Sequence, residues 1–495
     1  MDVLDLDEIP GLTSIGYEHH RLSLKNSLAG AQDPVLVIPH QVSILPPALS
    51  RTRLSFSSQM SFPVALLRGL FGVVVFLGIA TLFSTNRKAI NWRLVASGIG
   101  LQLVFALLVL KTGPGEMVFD TLATFFDTLL SFTYEGSKFI FGELGNPDEG
   151  NNFAFQVLPT IIFFASLMGV LYHLKLVQPL VNGMGWVMQK TLRISGAESL
   201  AASANVFIGQ TEAPLAVKPY VKDMTRSEIM TLMTGGMATI AGGVLAAYIG
   251  FLGGDSPESR RLFAKHLLSA SVMSAPAAIV MAKILVPETE APKTRGGAEI
   301  QDTEEVDNVI EAAANGASDG LQLALNVGAM LLAFIALIGA VNAGFEWLGA
   351  PVVYGVELYD VNTLVDQASG GRFESLSLEA VFGFFFAPLA WAMGVEAADI
   401  LQFGTLLGEK VAVNEFVAYA SLRDLRGVMS ERSVVIGTYA LCGFANFSSI
   451  AIQIGGIGGI APSRKSEIAA LGLRAVLGGA LASWMTATVA GVLVG

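Results

Sequence analysis

The stretch SANVFIGQTEAPLAVKPY, residues 203–220, decides the fold. It sets Asn205, Gln210, Thr211 and Glu212 among small and apolar residues, with Pro214 close behind. An ionised side chain at mid-membrane costs about 2.5–3.5 kcal/mol on insertion scales, so a polar tip in an apolar chain is kept where it lines a site. A short apolar run, a polar tip and a second short run read as two half-helices that enter a bilayer and return to the same side. The turn of such a hairpin leaves backbone groups free at membrane depth. No bulk water satisfies them there, and they must bind something.

The rest of the chain supports a bilayer setting. Hydrophobic residues make up 53% of the sequence and charged residues 14%, well below the roughly 25% charged of soluble domains. The chain therefore reads as a polytopic membrane protein embedded in lipid. Its formal net charge of -11 argues against a nucleic-acid partner. Much of that charge sits in PETEAPKTRGGAEIQDTEEVDNVIEAA, residues 287–313, which reads as a solvated linker. The single cysteine, Cys442, lies in an apolar segment, which excludes an intrachain disulfide and a cysteine metal site. Residues 1–59 hold no spanning run and no signal-peptide pattern, so they read as a tail that is disordered or upstream of a natural start at Met60.

A helix needs about 20 apolar residues to span the hydrocarbon core. Segments 64–83, 94–110, 157–174, 323–348 and 469–494 meet that test. The basic connection NRKAINWR, with Arg87, Lys88 and Arg93, is expected in the cytoplasm. From 157 the chain runs through a clean span, the amphipathic LVNGMGWVMQKTL, the hairpin with tip GQTEAP, the interrupted span TGGMATIAGGV and another span. From 323 the layout recurs with LEAVFGFFFAPLAWAMG, a hairpin holding KVAVNEFVAY, the interrupted CGFANFSSIAIQIGGIGG and a final span. Paired interrupted segments in two halves point to a secondary transporter with its site at the broken helices. The expected divisions are 60–156 for N-terminal scaffold and interfacial helices, 157–285 for a first repeat, 286–320 for a cytoplasmic linker and 321–495 for a second repeat.

At the first tip, Asn205 supplies an amide oxygen and Ile208 a free carbonyl, while the interrupted span adds the Thr239 hydroxyl and the Ile240 carbonyl. All-oxygen ligands without clustered carboxylates suit sodium better than zinc. In the second half, Asn414 and Glu415 lie on a hairpin arm, with Phe444, Asn446, Phe447, Ser448 and Ser449 in the interrupted span. Carboxylate, amide, hydroxyls and aromatic faces together fit a neutral ligand that joins a sugar to a heterocycle. Ion pairs from Glu212 to Lys218 or Lys222, and from Glu415 to Lys410, are the structural alternatives. One of Ser448 and Ser449 is expected to bond its own helix. No covalent cofactor is expected. The sequences GxxxxGK[ST] and HExxH are absent, which argues against direct use of ATP and against a zinc hydrolase, and no enzyme is expected.

The motifs GQTEAPL, NEFVAY and CGFANFSSIAIQIGGIGG, in that order, resemble the concentrative nucleoside transporters, and the resemblance runs from about Met60 to the C-terminus. It implies an all-α fold of eight transmembrane helices, two re-entrant hairpins and interfacial helices. It also implies inverted repeats, a homotrimer in a bacterial inner (plasma) membrane, and an elevator-type movement of a transport domain. Nucleosides, pyrimidine or purine, would be the substrates. Gln210, Thr211 and Glu212 would face the nucleobase; Glu415, Asn446 and Ser449 would bind ribose, with Phe444 lining that end. Sodium would fall on Asn205, Ile208, Thr239 and Ile240. The competing readings are proton coupling through Glu212, an ion channel filtered by re-entrant loops, and an intramembrane acid–base pair of Glu212 and Glu415.

Overall fold

The computed structural model describes residues 62–147, 152–254, 256–298, 306–353 and 356–494. The expectations for residues 1–59 and a start at Met60 lie outside that range. The chain begins with two apolar helices, α1 (Phe62–Leu82) and α2 (Trp92–Lys111), followed by the amphipathic α3 (Gly113–Phe141). A π-turn at Phe153–Val157 leads into α4 (Leu158–His173), and α5 (Gln178–Leu192) follows.

The first hairpin then rises as α6 (Gly196–Ala204), turns through the polar tip and a 3-10 turn at Ala213–Val217, and ends in the short α7 (Lys218–Val221). Next comes the interrupted span: α8 (Arg226–Ala238) stops at Thr239, and α9 (Gly242–Gly253) restarts after Ala241. The first half closes with α10 (Pro257–Leu285). The second half opens with α11 (Val309–Gly349) and a minimal antiparallel pair, β1 (Val352–Val353) and β2 (Val356–Glu357), the one departure from an all-helical chain among the described residues. After α12 (Val361–Ser369) and α13 (Leu378–Ala392), the second hairpin is α14 (Ile400–Ala412) and α15 (Glu415–Leu425). A second broken span, α16 (Glu431–Leu441) and α17 (Phe447–Ile460), precedes α18 (Lys465–Val494).

Among the described residues, seven helical segments are long and apolar enough to cross a membrane, with α8 and α9 counted together. Eight were expected. The missing one falls on α16 and α17, which residues 442–446 cut into pieces of 11 and 14 residues, each too short alone. Burial divides the spans into inner and outer sets. The α8–α9 span, α10 and α18 are almost wholly enclosed, whereas α1 and α11 expose apolar side chains such as Leu67, Val74, Leu332 and Leu337. An apolar face of that kind suits lipid rather than water.

The linker expected over 286–320 is shorter than the charge pattern implied, because α11 already begins at Val309. Glycines explain how: a Cβ at Gly316 would lie 2.5 Å from the Ala165 carbonyl, and one at Gly320 2.8 Å from the Ala165 Cβ. The backbones of α11 and α4 therefore touch along this stretch, and Ser166 Oγ donates to the Ala313 carbonyl at 2.8 Å. Residues 288–298 are mostly exposed, as expected of a solvated linker, with one exception at Thr294. Thr294 is buried, its carbonyl accepts from Gly196 N at 2.8 Å, and its hydroxyl accepts from Ala197 N at 3.2 Å. It thereby satisfies two of the free N–H groups at the start of α6.

Candidate functional site

Each hairpin closes at its base. Ser195 opens α6 and Thr225 opens α8, both with capping boxes in which the serine or threonine is answered by a glutamate three residues on. Ser195 Oγ donates to Glu228 Oε1 at 2.6 Å, so the chain leaves and returns at one place. Lys283, buried on α10, pairs with Glu198 and donates to Ser227 Oγ at 2.9 Å, which ties the base together. The second hairpin does the same with Ser430 N donating to Asp399 Oδ2 at 3.0 Å.

The first tip rests on the break between α8 and α9. Gly242 N donates to the Phe207 carbonyl at 3.2 Å, and a Cβ at Gly209 would meet that of Ala241 at 3.1 Å. Ser271 on α10 donates to the Val206 carbonyl at 3.0 Å. Asn205 is buried, and its Nδ2 donates to the Ala201 carbonyl at 3.1 Å. That bond fixes the amide, and Oδ1 is left buried without a partner. Thr239 Oγ1 donates back to the Gly235 carbonyl at 2.9 Å and keeps its lone pairs free, while the Asn205 amide lies 3.2 Å from where a Gly235 Cβ would stand. Asn205 and Thr239 thus both border Gly235, while Ile208 and Ile240 lie in the chain beside the residues, Phe207 and Gly209 against Gly242 and Ala241, through which tip and break touch.

A second polar chain crosses between the halves. Glu415, at the start of α15, accepts from Tyr248 OH at 2.8 Å on Oε1 and from Asn446 Nδ2 at 2.9 Å on Oε2. Asn446 caps α17: its Oδ1 accepts from Ser449 N at 2.9 Å and from Ser448 Oγ at 2.7 Å. Ser449 Oγ accepts from Gln210 Nε2 at 3.2 Å, which links the second half to the tip of the first hairpin. Gln210 Oε1 in turn accepts from Gln453 Nε2 at 3.1 Å. Of the expected residues, Gln210, Glu415, Asn446 and Ser449 are therefore joined, and all four are buried.

The remaining three lie beside this chain. Thr211 is exposed at the tip with its methyl group 3.6 Å from where a Cβ would stand on Gly456 of α17. Glu212 is also exposed, and its Oε2 fills the space that a Cβ at Gly209 would take. Phe444 is half-buried against the core, whereas Phe447 points outward. Lys410 does not occupy Glu415; it donates to the Ala440 carbonyl at 2.8 Å and the Cys442 carbonyl at 3.4 Å. Asn414 spends its side chain capping α15 through Val417 N at 2.9 Å.

Two members of the network escaped sequence reasoning. Tyr248 sits in a continuous apolar run with no local signal, and only the fold sets its hydroxyl against Glu415. Gln453 had a signal, since it lies four residues after Ser449 and seven after Asn446, on one helix face.

The two breaks also meet each other. Gly443 adopts φ +112°, and a Cβ there would stand 2.7 Å from the Met237 carbonyl and 2.8 Å from the Ala238 carbonyl carbon. Only glycine fits that conformation and approach.

Comparison with known proteins assigns this architecture. Family models described as Na+ dependent nucleoside transporter N-terminus, nucleoside recognition, and Na+ dependent nucleoside transporter C-terminus match residues 71–144, 154–255 and 266–491. An uncharacterised transporter of Haemophilus influenzae is 42% identical over 440 residues, covering 87% of this chain and 99% of its own. Sodium/nucleoside cotransporter 1 of Rattus norvegicus is 40% identical over 438 residues, with 85% of this chain and 63% of the rat protein covered. The structure of CNTnw in an inward-facing substrate-bound state superposes with a TM-score of 0.75 at 39% identity, covering 87% of this chain and 100% of that one.

Proposed function

The chain belongs to the concentrative nucleoside transporter family, and on that premise we propose that it carries purine or pyrimidine nucleosides into the cell in symport with sodium. It is a membrane transporter and not an enzyme. The observation that carries the site is the bond chain from Tyr248 through Glu415, Asn446 and Ser449 to Gln210, which spans both hairpins and both broken spans. Ribose hydroxyls are matched by Glu415, Asn446 and Ser449, with Phe444 at their end. The nucleobase is matched by Gln210, Thr211 and Glu212.

Sodium is assigned to Asn205 Oδ1, Thr239 Oγ1 and the carbonyls of Ile208 and Ile240. The fit rests on Asn205, whose buried oxygen lacks a partner although its nitrogen is held. A buried unsatisfied acceptor costs about 1–3 kcal/mol, which a bound cation removes. One cation moving through about 100 mV supplies about 2.3 kcal/mol. At about 1.4 kcal/mol per tenfold, that sustains a substrate gradient of roughly forty-fold. Ion and nucleoside sites share the tip at Asn205 and Gln210, so occupancy of each favours the geometry the other needs.

In this reading the broken α16–α17 pair is the eighth span, the two hairpins are re-entrant, and α3, α5, α12 and α13 lie at the interface. The halves are inverted repeats. The assembly is a homotrimer in a bacterial plasma membrane, with an elevator-type transport domain. Uptake of labelled uridine and adenosine into proteoliposomes, under a sodium gradient, a proton gradient or neither at matched potential, tests the function. Accumulation driven by sodium supports it. Accumulation driven only by protons moves coupling to Glu212, and failure to accumulate nucleoside under any of the gradients overturns it.

A further inference from the structure

The direction of the Gln210 amide is set by a backbone group outside the hairpin. The Met233 carbonyl can only accept a hydrogen bond, so the Gln453 atom 2.9 Å from it is the amide nitrogen Nε2. The second hydrogen of that nitrogen points at Gln210, 3.1 Å away, and the atom it meets must be an acceptor. Gln210 therefore turns Oε1 toward Gln453 and Nε2 away from it. One hydrogen of that Nε2 goes to Ser449 Oγ at 3.2 Å, and the other is left over. Ser449 cannot set the direction itself, because a hydroxyl serves as donor or acceptor equally well. Gly236 holds the pair close: a Cβ there would stand 2.8 Å from Gln210 Cβ and 3.0 Å from Gln453 Nε2. Gln453 is 1% exposed and its own Oε1 has no partner, so nothing in the surroundings favours the reversed amide.

We propose that Gln453 is a positioning residue that holds Gln210 with an N–H facing the substrate, so that the site selects nucleobases presenting a hydrogen-bond acceptor there. This rests on the reading of Gln210 as a nucleobase contact. A carbonyl oxygen or a ring nitrogen completes the free donor. An exocyclic amine in the same place meets a second donor and is rejected. If Gln453 is removed, Gln210 is free to turn its oxygen outward through Ser449, and the preference for an acceptor is lost.

The test uses Gln453→Met, which keeps length and apolar volume, and Gln453→Leu as a second variant. Both are first checked for monodisperse behaviour in detergent. Uptake efficiency is compared for uridine against cytidine, inosine against adenosine, and adenosine against its 3-deaza and 7-deaza analogues. Wild type is expected to favour the acceptor-bearing member of at least one pair, and that ratio is expected to fall by about tenfold in both variants. The fall arises from weaker use of the acceptor-bearing member, with the other member held or improved. A ratio within about twofold of wild type in both variants overturns the proposal. So does an equal loss for both members, which marks a packing role, or a wild type that discriminates in no pair. A wild type that takes up no nucleoside at all defeats the functional reading beneath it instead.

Discussion

Ser195 Oγ and Glu228 Oε1 lie 2.6 Å apart, joining the N-cap of α6 to the first turn of α8 across the base of the first hairpin. Both helix starts are buried; Glu198 pairs with Lys283, which also donates to Ser227 Oγ on the second helix. The hairpin is thus fastened at its base and polar at its tip, and the two ends answer to different chemistry.

Lys283→Met removes the cation from this base and leaves Glu198 buried without its partner. Breaking a buried pair from one side costs about 3–5 kcal/mol. Thermal unfolding in detergent should show a large loss for Lys283→Met and a smaller one for Lys283→Met with Glu198→Gln. A double variant no better than the single would show that the pair is not coupled.

Tyr248→Phe removes the hydroxyl that donates to Glu415 while keeping the ring, which packs 4.5 Å from Tyr419 and 4.7 Å from Phe416. A hydrogen bond to a charged group is worth about 1.5–3 kcal/mol. Uptake should show nucleoside KM raised about tenfold or more, accompanied by a lower melting temperature from the carboxylate oxygen left without its donor. An unchanged KM would remove Tyr248 from the site.

Thr239 separates hydroxyl from shape. Thr239→Ser keeps the oxygen and should leave the sodium concentration for half-maximal uptake within about threefold of wild type, whereas Thr239→Val and Asn205→Ala should raise it about tenfold or more. A sodium titration of uptake at saturating nucleoside measures this. Equal behaviour of serine and valine would exclude the hydroxyl as a ligand.

How far the sequence spoke depends on the range of each cause. The breaks at Thr239 and at residues 442–446 were legible because polar residues and glycines interrupt long apolar runs locally. The α6 and α8 starts each carry a capping box within four consecutive residues, Ser195–Glu198 and Thr225–Glu228. Residues that meet only in three dimensions were not legible: Tyr248 looks like a core aromatic until α15 is folded against α9. The length of α11 was hidden because Gly316 and Gly320 look like linker residues until the backbone of α4 lies against them. Thr294 looked solvated for the same reason.

Gly443→Ala tests the contact between the two breaks. It forces a side chain into a φ of +112° and against the Met237 carbonyl. Strain of this kind costs of order 1–3 kcal/mol before the clash is counted. The variant should show reduced folded yield and a lower melting temperature, and wild-type values of both would mean the backbone there relaxes freely.

That contact also orders events on the ribosome. Met237 and Ala238 emerge long before Gly443, so the first half enters the membrane with its gap uncovered, its polar backbone facing whatever the insertion machinery provides. Only when the last segments arrive does Gly443 close against it. The two halves cannot mature as independent modules, and a nascent chain halted before Gly443 carries an unfinished joint in the bilayer.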